Sequence, residues 1–248
     1  MSVFKSLIIA ISTYSKIPMP YFEWKEKDMR YAICFFPVVG VVIGALQYFW
    51  LWICESFEFN GIIRAAWCIV INIIITGGIH IDGFMDTMDA LHSYRPREKK
   101  LEILKDAHIG AFAVIMFMVY ILVYLGAVSE INFASCRIFA VSFIMSRIYS
   151  GISVVCFKNA KSDGMLYSFS SAAHKRAVRC ILAAELFVLT AAGVYFLGVS
   201  SVIMAALMFG IFIYYRYKSY KEFGGITGDI AGWFLCISEM AAAVFCIF

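Results

Sequence analysis

Seven stretches of this chain run for about 18 to 25 residues with few or no charges, the length a helix needs to cross a hydrocarbon layer about 30 Å thick. They cover residues 31–54, 62–79, 109–128, 137–157, 178–197, 200–217 and 230–248. The region 186–215 carries no charged residue and is too long for one crossing. The Gly198-Val199-Ser200-Ser201 stretch offers a tight turn at which to divide it. Composition agrees, since 62% of the 248 residues are hydrophobic and 15% charged, against about a quarter charged in soluble domains. One water-soluble core of this size could not hide so much apolar surface. The expected fold is therefore all-α, a polytopic transmembrane bundle of about seven spans forming a single integral membrane domain. Residues 3–17 are too short to span and show no cleavage site. Val3, Phe4, Leu7, Ile8 and Ile11 share a face there, which predicts a helix lying in the membrane interface.

Lysine and arginine orient the bundle. The first 30 residues hold five, and the connection after the first span only Arg64. The segment 80–108 holds five, the next connection Arg137 alone, and 158–179 five again. The turn at 198–201 has none, and Arg216, Lys218 and Lys221 precede the last span. This alternation is the positive-inside pattern, with the N-terminus cytoplasmic and the C-terminus external. A net charge of +4 is ordinary for such a protein and does not suggest nucleic acid as a partner. The eight cysteines form no C-x-x-C pair and mostly lie in apolar runs. They read as small core side chains, not as a disulfide or zinc framework.

Chemistry concentrates in 80–108, expected as a cytoplasmic loop carrying the active site. Asp82, Asp86, Asp89, Glu98, Glu102 and Asp106 are six of the seventeen acids. In a helix, Asp82, Asp86 and Asp89 follow i, i+4, i+7 and share a face. Stacked carboxylates repel unless a cation sits among them. All-oxygen ligands at this spacing suit a hard divalent ion, most simply Mg²⁺ together with phosphate oxygens. His80 is placed to act as a general base or a phosphate partner. Gly77, Gly78 and Gly83 suggest close backbone approach to a ligand. Residues 97–112 read as a basic amphipathic helix running into the third span, with Lys105, Asp106 and His108 at the boundary. A solvated acidic face and a positive-inside anchor account for parts of this pattern, Arg97, Lys99 and Lys100 above all. Gly224, Gly225, Thr227 and Gly228 open the last span, where a Gly-rich turn can cradle phosphate through backbone N–H groups. Arg147, Glu185 and Glu239 fall inside spans, where charges are costly and are functional or paired.

The segments Thr76–Asp89 (T-G-G-I-H-I-D-G-F-M-D-T-M-D), Arg97–Phe112 and Gly224–Gly232 together resemble the cobalamin synthase (adenosylcobinamide-GDP ribazoletransferase) family. Thr13 with Ile17-Pro18-Met19-Pro20, and Phe36-Pro37-Val38-Val39-Gly40 with Gly44, resemble it too, so the likeness covers the whole chain. The chain departs at Met85, Met88, Ala90, Leu104 and Ala113, and at Ala107-His108, so no role carries over to His108. The resemblance implies a late step of vitamin B12 assembly. Adenosylcobinamide-GDP is joined to α-ribazole or its 5′-phosphate, GMP is released, and Mg²⁺ is required. It also implies a multi-pass protein of the cell inner (plasma) membrane, acting as a homo-oligomer or with other nucleotide-loop assembly enzymes. Under it, Asp82, Asp86 and Asp89 are metal ligands, with Asp106 or Asp229 completing the site. His80 is then the base, and Lys105 and the turn at Gly224–Gly228 contact phosphate. A CDP-alcohol phosphotransferase also stacks aspartates on helices. Ile79 stands where its first motif needs an aspartate, and no A-R follows Asp82-Gly83. A divalent-cation transporter would place acids in broken helices near the midplane, and no inverted repeat is visible here.

The charge alternation makes one direct forecast. A topology reporter fused after Lys175 should read cytoplasmic, and one after Phe248 external. A cytoplasmic reading at the C-terminus would remove the division at 198–201.

Overall fold

The computed structural model describes residues 2–248. Among them it contains twelve α-helices. Six are long and apolar enough to cross a membrane, and a bent helix pair raises the count to as many as seven, which makes this a multi-pass membrane protein.

The helices α1 (Ser2–Tyr14) and α2 (Glu26–Met29) lead through a 3₁₀ turn, Ala32–Phe35, into α3 (Phe36–Ser56). Then come α4 (Gly61–Thr76), α5 (Ile79–His92), α6 (Arg97–Ile103), α7 (Ala111–Glu130) and α8 (Cys136–Cys156). The chain ends with α9 (Met165–Ala172), α10 (Lys175–Leu197), α11 (Ser200–Phe223) and α12 (Gly228–Phe245). The division of the long uncharged region falls as expected, with Gly198 at φ 73° between α10 and α11.

Two local expectations are corrected. The second apolar stretch stops early: Gly77 and Gly78 both take left-handed φ, 65° and 80°, which glycine adopts without a Cβ clash. The chain turns by 98° there into α5. The acidic segment is therefore a helical hairpin, α5 and α6, and not an open loop. Residues 97–112 are likewise not one helix. α6 stops at Ile103, and Gly110 caps α7 in an extended conformation. α1 leaves Val3 and Phe4 exposed on its outer side, while Ile9 packs with Ile33, Val154 and Phe169 inside the bundle. The Ser6 hydroxyl, donating to the Asp28 carbonyl at 2.6 Å, turns that side inward.

The core sits around α8, which packs against α3, α10, α11 and α12. Gly40 and Gly44 of α3 touch its backbone: a Cβ at either would lie 2.4 Å from the Phe143 or Ala140 carbonyl oxygen. This small-xxx-small contact lets two helices meet at close range. By contrast α10 turns Phe187, Val188 and Phe196 outward, as a lipid-facing helix does. The basic segments gather at one end. Lys16 N–H donates to Ile75 O (2.8 Å), Lys105 pairs with Asp163 (3.2 Å), and Lys100 pairs with Glu222. Arg64 lies at the other end, donating to the Ile131 carbonyl at 2.8 Å.

Two of the three in-span charges pair in the core. Arg147 is 0% exposed and bonds Glu239 Oε1 at 2.8 Å, while Asn72 Nδ2 donates to Glu239 Oε2 at 2.6 Å. The cluster ties α4, α8 and α12 together. Glu185 makes no such pair, and its Oε2 is buried without a hydrogen-bond partner. Removing one member of a buried pair strands the other, at about 3–5 kcal/mol. Glu239→Ala should therefore lower the unfolding midpoint in detergent sharply, and the double change Arg147→Met, Glu239→Leu should recover much of the loss. An unchanged midpoint for Glu239→Ala would show that the pair does not hold the bundle.

Candidate active site

Once Gly77 and Gly78 have turned the chain, α5 carries Asp82, Asp86 and Asp89 along one face. What lies opposite is decided by two more glycines. A Cβ on Gly83 would stand 2.8 Å from both Cα and O of Asp229, and one on Gly232 would stand 2.9 Å from the His80 carbonyl oxygen. The α5 and α12 backbones thus meet without side chains between them. Asp229, in the first turn of α12, comes beside the α5 acids from more than 130 residues away. The Asp86 carboxylate lies within electrostatic range of Asp82, Asp229, Asp89 and the Lys161 ammonium. Asp89 rests in the space that a side chain at Gly110 would fill, with both oxygens 2.1 Å from the position of a Cβ there. Thr227 caps α12, accepting the Ile230 N–H at 3.3 Å and donating to Asp229 Oδ2 at 3.2 Å. The open N–H donors of that first turn favour an anion.

A second wall is built from the segment after α8. Ile226 N–H donates to Lys158 O at 2.8 Å, and Ala160 N–H to Ile226 O at 2.9 Å. Gly225 allows this pairing, since a Cβ there would sit 2.4 Å from Lys158 O. The pairing sets Lys161 across from Asp229. Partial burial holds the Lys161 ammonium below the usual lysine range, with the Asp229 charge opposing that shift.

The structure places the sequence candidates as follows. Asp82, Asp86, Asp89 and Asp229 come together, with His80, Thr227 and Gly228 around them. Lys105 stands at the outer rim, paired with Asp163. Asp106 is engaged elsewhere: it accepts from His108 N–H at 3.0 Å and meets His108 Nδ1 at 2.7 Å. These contacts hold its carboxyl below the ordinary range, and it lines a separate groove with Arg95 and Lys99. Gly224 and Gly225 are taken up by the chain itself. Their N–H groups go to Tyr220 O and Ser219 O of α11, and the Arg97 guanidinium lies over Gly224. Lys161 had been counted only as one of the loop cations. Its lone signal in sequence was a lysine just beyond a span.

Two cavities flank the acids. One, of about 250 Å³, is lined by His80, Asp82 and Asp229 together with Phe36, Val154 and Leu235. His80 Nε2 is buried there without a partner. The other, of about 450 Å³, is lined by Lys105, Lys161, Thr227 and Tyr167. Asp229, Gly228, Met165 and Leu166 belong to both. Among the described residues, no three His, Cys, Asp or Glu side chains converge as a ready-made metal cage. The donor set is nonetheless all oxygen, the carboxylates of Asp82, Asp86, Asp89 and Asp229, with the Lys161 ammonium in electrostatic range. Such a set fits Mg²⁺, which takes one or two carboxylates and completes its shell with water and substrate phosphate.

Comparison with known proteins bears on this geometry. The cobalamin-5-phosphate synthase family profile matches residues 6–247. An adenosylcobinamide-GDP ribazoletransferase of Lachnoclostridium phytofermentans is 46% identical over 242 residues, which are 96% of this chain and 92% of that protein. Proteins of the same name from Clostridium perfringens (33% over 239 residues; 95% and 94%) and Clostridium botulinum (29% over 244 residues; 96% and 95%) are similar as well. No solved structure matches. With a profile match that spans residues 6–247 and a relative 46% identical over 96% of its length, the chain belongs to the cobalamin-5-phosphate synthase family.

Proposed function

We propose that this protein is a Mg²⁺-dependent adenosylcobinamide-GDP ribazoletransferase of the bacterial plasma membrane, with its acidic site facing the cytoplasm. The names of the relatives support the reaction, and the charge alternation supports the sidedness. The observation that carries the reading is the meeting of Gly83 and Gly232. It sets Asp229 against the Asp82–Asp86 face, beside the Lys161 ammonium.

The reaction is a phosphoryl transfer. A ribose hydroxyl of α-ribazole attacks the phosphorus attached to cobinamide. A new P–O bond forms, the bridging P–O bond breaks, and GMP leaves with the bridging oxygen. Catalysis of this kind is mostly positioning and charge neutralisation. Asp82, Asp86, Asp89 and Asp229 are the residues that would hold Mg²⁺, which when bound neutralises charge on the phosphoryl and leaving-group oxygens. Asp106, held by His108, is left out of this set. Lys161 and Lys105 bind and orient the diphosphate. The first turn of α12, with Thr227 and Gly228, offers it N–H donors. His80, which lines the apolar cavity beside Asp82, is the side chain that would accept the hydroxyl proton once substrate fills that cavity. The apolar walls around His80 limit water, which would otherwise compete as the nucleophile.

Two sets of variants test this. Asp82→Asn and Asp86→Asn keep shape and remove charge, and each should cut GMP release by about 100-fold or more while the protein elutes normally in detergent. Chelation should silence wild type, and added Mg²⁺ should restore it. Asp82→Asn within a few-fold of wild type would remove that residue from the site, and turnover of a CDP-linked lipid in place of the corrinoid would replace the reading. Gly83→Val pushes α5 off α12. It should lower kcat by at least about tenfold without unfolding the bundle, because a misplacement of about 1 Å costs about 100-fold. Full activity in Gly83→Val would show that the crossing does not position the acids.

A further inference from the structure

The two cavities beside Asp229 differ in chemistry, and the two substrates of the proposed reaction differ in the same way. One chamber has apolar walls, Phe36, Val154, Met165, Leu166 and Leu235. Its polar groups include His80, Asp82 and Asp229. The other carries Lys105 and Lys161 among Asp163 and Asp229, with Lys105 paired to Asp163 at 3.2 Å and Tyr167 at its side; of the two chambers it alone holds lysines. A diphosphate belongs with the lysines, where charge is complementary. The apolar chamber, at about 250 Å³, falls below the roughly 300–1,000 Å³ of pockets that enclose whole drug-sized ligands. A single planar base fits a space of this order, and a corrin macrocycle does not. Its one buried orphan, His80 Nε2, needs a polar partner, because an unpaired buried nitrogen is costly. His80 lines the chamber, so a ribose hydroxyl attached to a base held there comes to the imidazole that lacks a partner.

Resting on the transferase reading above, we infer that the apolar chamber holds the aromatic base of the nucleoside acceptor, and that Phe36, Val154 and Leu235 set which bases are accepted. The guanosine diphosphate occupies the basic chamber, and the corrin ring stays outside both. The shared wall of Gly228 and Asp229 is where hydroxyl and phosphorus meet. None of Phe36, Val154 and Leu235 touches the reacting atoms, so their effect falls on selection of the acceptor.

Steady-state kinetics with both substrates varied test the assignment. Val154→Phe narrows the chamber. It should raise KM for α-ribazole at least about tenfold, since one methylene in such a pocket is worth about 10–200-fold, while KM for adenosylcobinamide-GDP stays within about twofold. Leu235→Ala widens the chamber and should raise relative kcat/KM for the riboside of a tricyclic base over α-ribazole. Wild type supplies a test that no folding defect can confuse. GMP should inhibit competitively against adenosylcobinamide-GDP and not against α-ribazole. Competition between GMP and α-ribazole, a rise confined to the corrinoid KM in Val154→Phe, or an unchanged base preference in Leu235→Ala would each overturn the chamber assignment. Wild type that releases no GMP with either acceptor would instead overturn the transferase reading.

Discussion

Helices immersed in lipid gain nothing by hiding apolar surface from one another, because the surrounding tails are equally apolar. Close backbone contact must hold them, and two of the places where glycine supplies it matter most here. Gly40 and Gly44 seat α3 on the central α8, and Gly83 and Gly232 seat α5 on α12. The second contact decides function. A helix pair separated by ordinary side chains would stand several ångströms further apart, and Asp229 would no longer share a mouth with Asp82 and Asp86. Positioning these acids is thus a packing problem first and an electrostatic one second.

The buried charges act alongside that packing. Glu239 accepts from both Asn72 and Arg147, so one carboxylate binds three helices. Arg147 also lies 5.9 Å from the Phe36 ring, and Phe36 lies 6.1 Å from the His80 ring. A continuous set of contacts therefore runs from the core pair to the chamber wall. Arg147 Nε and Nη2 make no hydrogen bond, so this pair is a costly device for stability alone. It ties α4, α8 and α12 together at one level.

Much of this was legible in the sequence, for identifiable reasons. Spans show as long uncharged runs because lipid tolerates little else. The turn at Gly198 shows because an unbroken helix would be too long. The common face of Asp82, Asp86 and Asp89 follows from helical spacing. Other features depend on contacts that periodicity does not encode. Two successive left-handed glycines ended α4 after Thr76, where hydropathy alone ran on to residue 79. The glycines at 224 and 225 resemble a phosphate cradle in sequence. In the fold their N–H groups complete the end of α11, and Gly225 admits the backbone of Lys158–Ala160. Lys161 was hidden for the converse reason. As one of five basic residues in its connection, it gained meaning only when the pairing of Ile226 with Lys158 and Ala160 set it facing Asp229.

The early end of α4 has a consequence for the surrounding lipid. Its 16 residues supply about 24 Å of helix at 1.5 Å per residue, against a hydrocarbon core of about 30 Å. The bilayer must thin beside α4, or the polar boundary must dip toward the break at Gly77–Gly78. The acidic face thereby reaches water below the level of the neighbouring headgroups. Thicker membranes oppose that dimple at a fraction of a kcal/mol per ångström of mismatch.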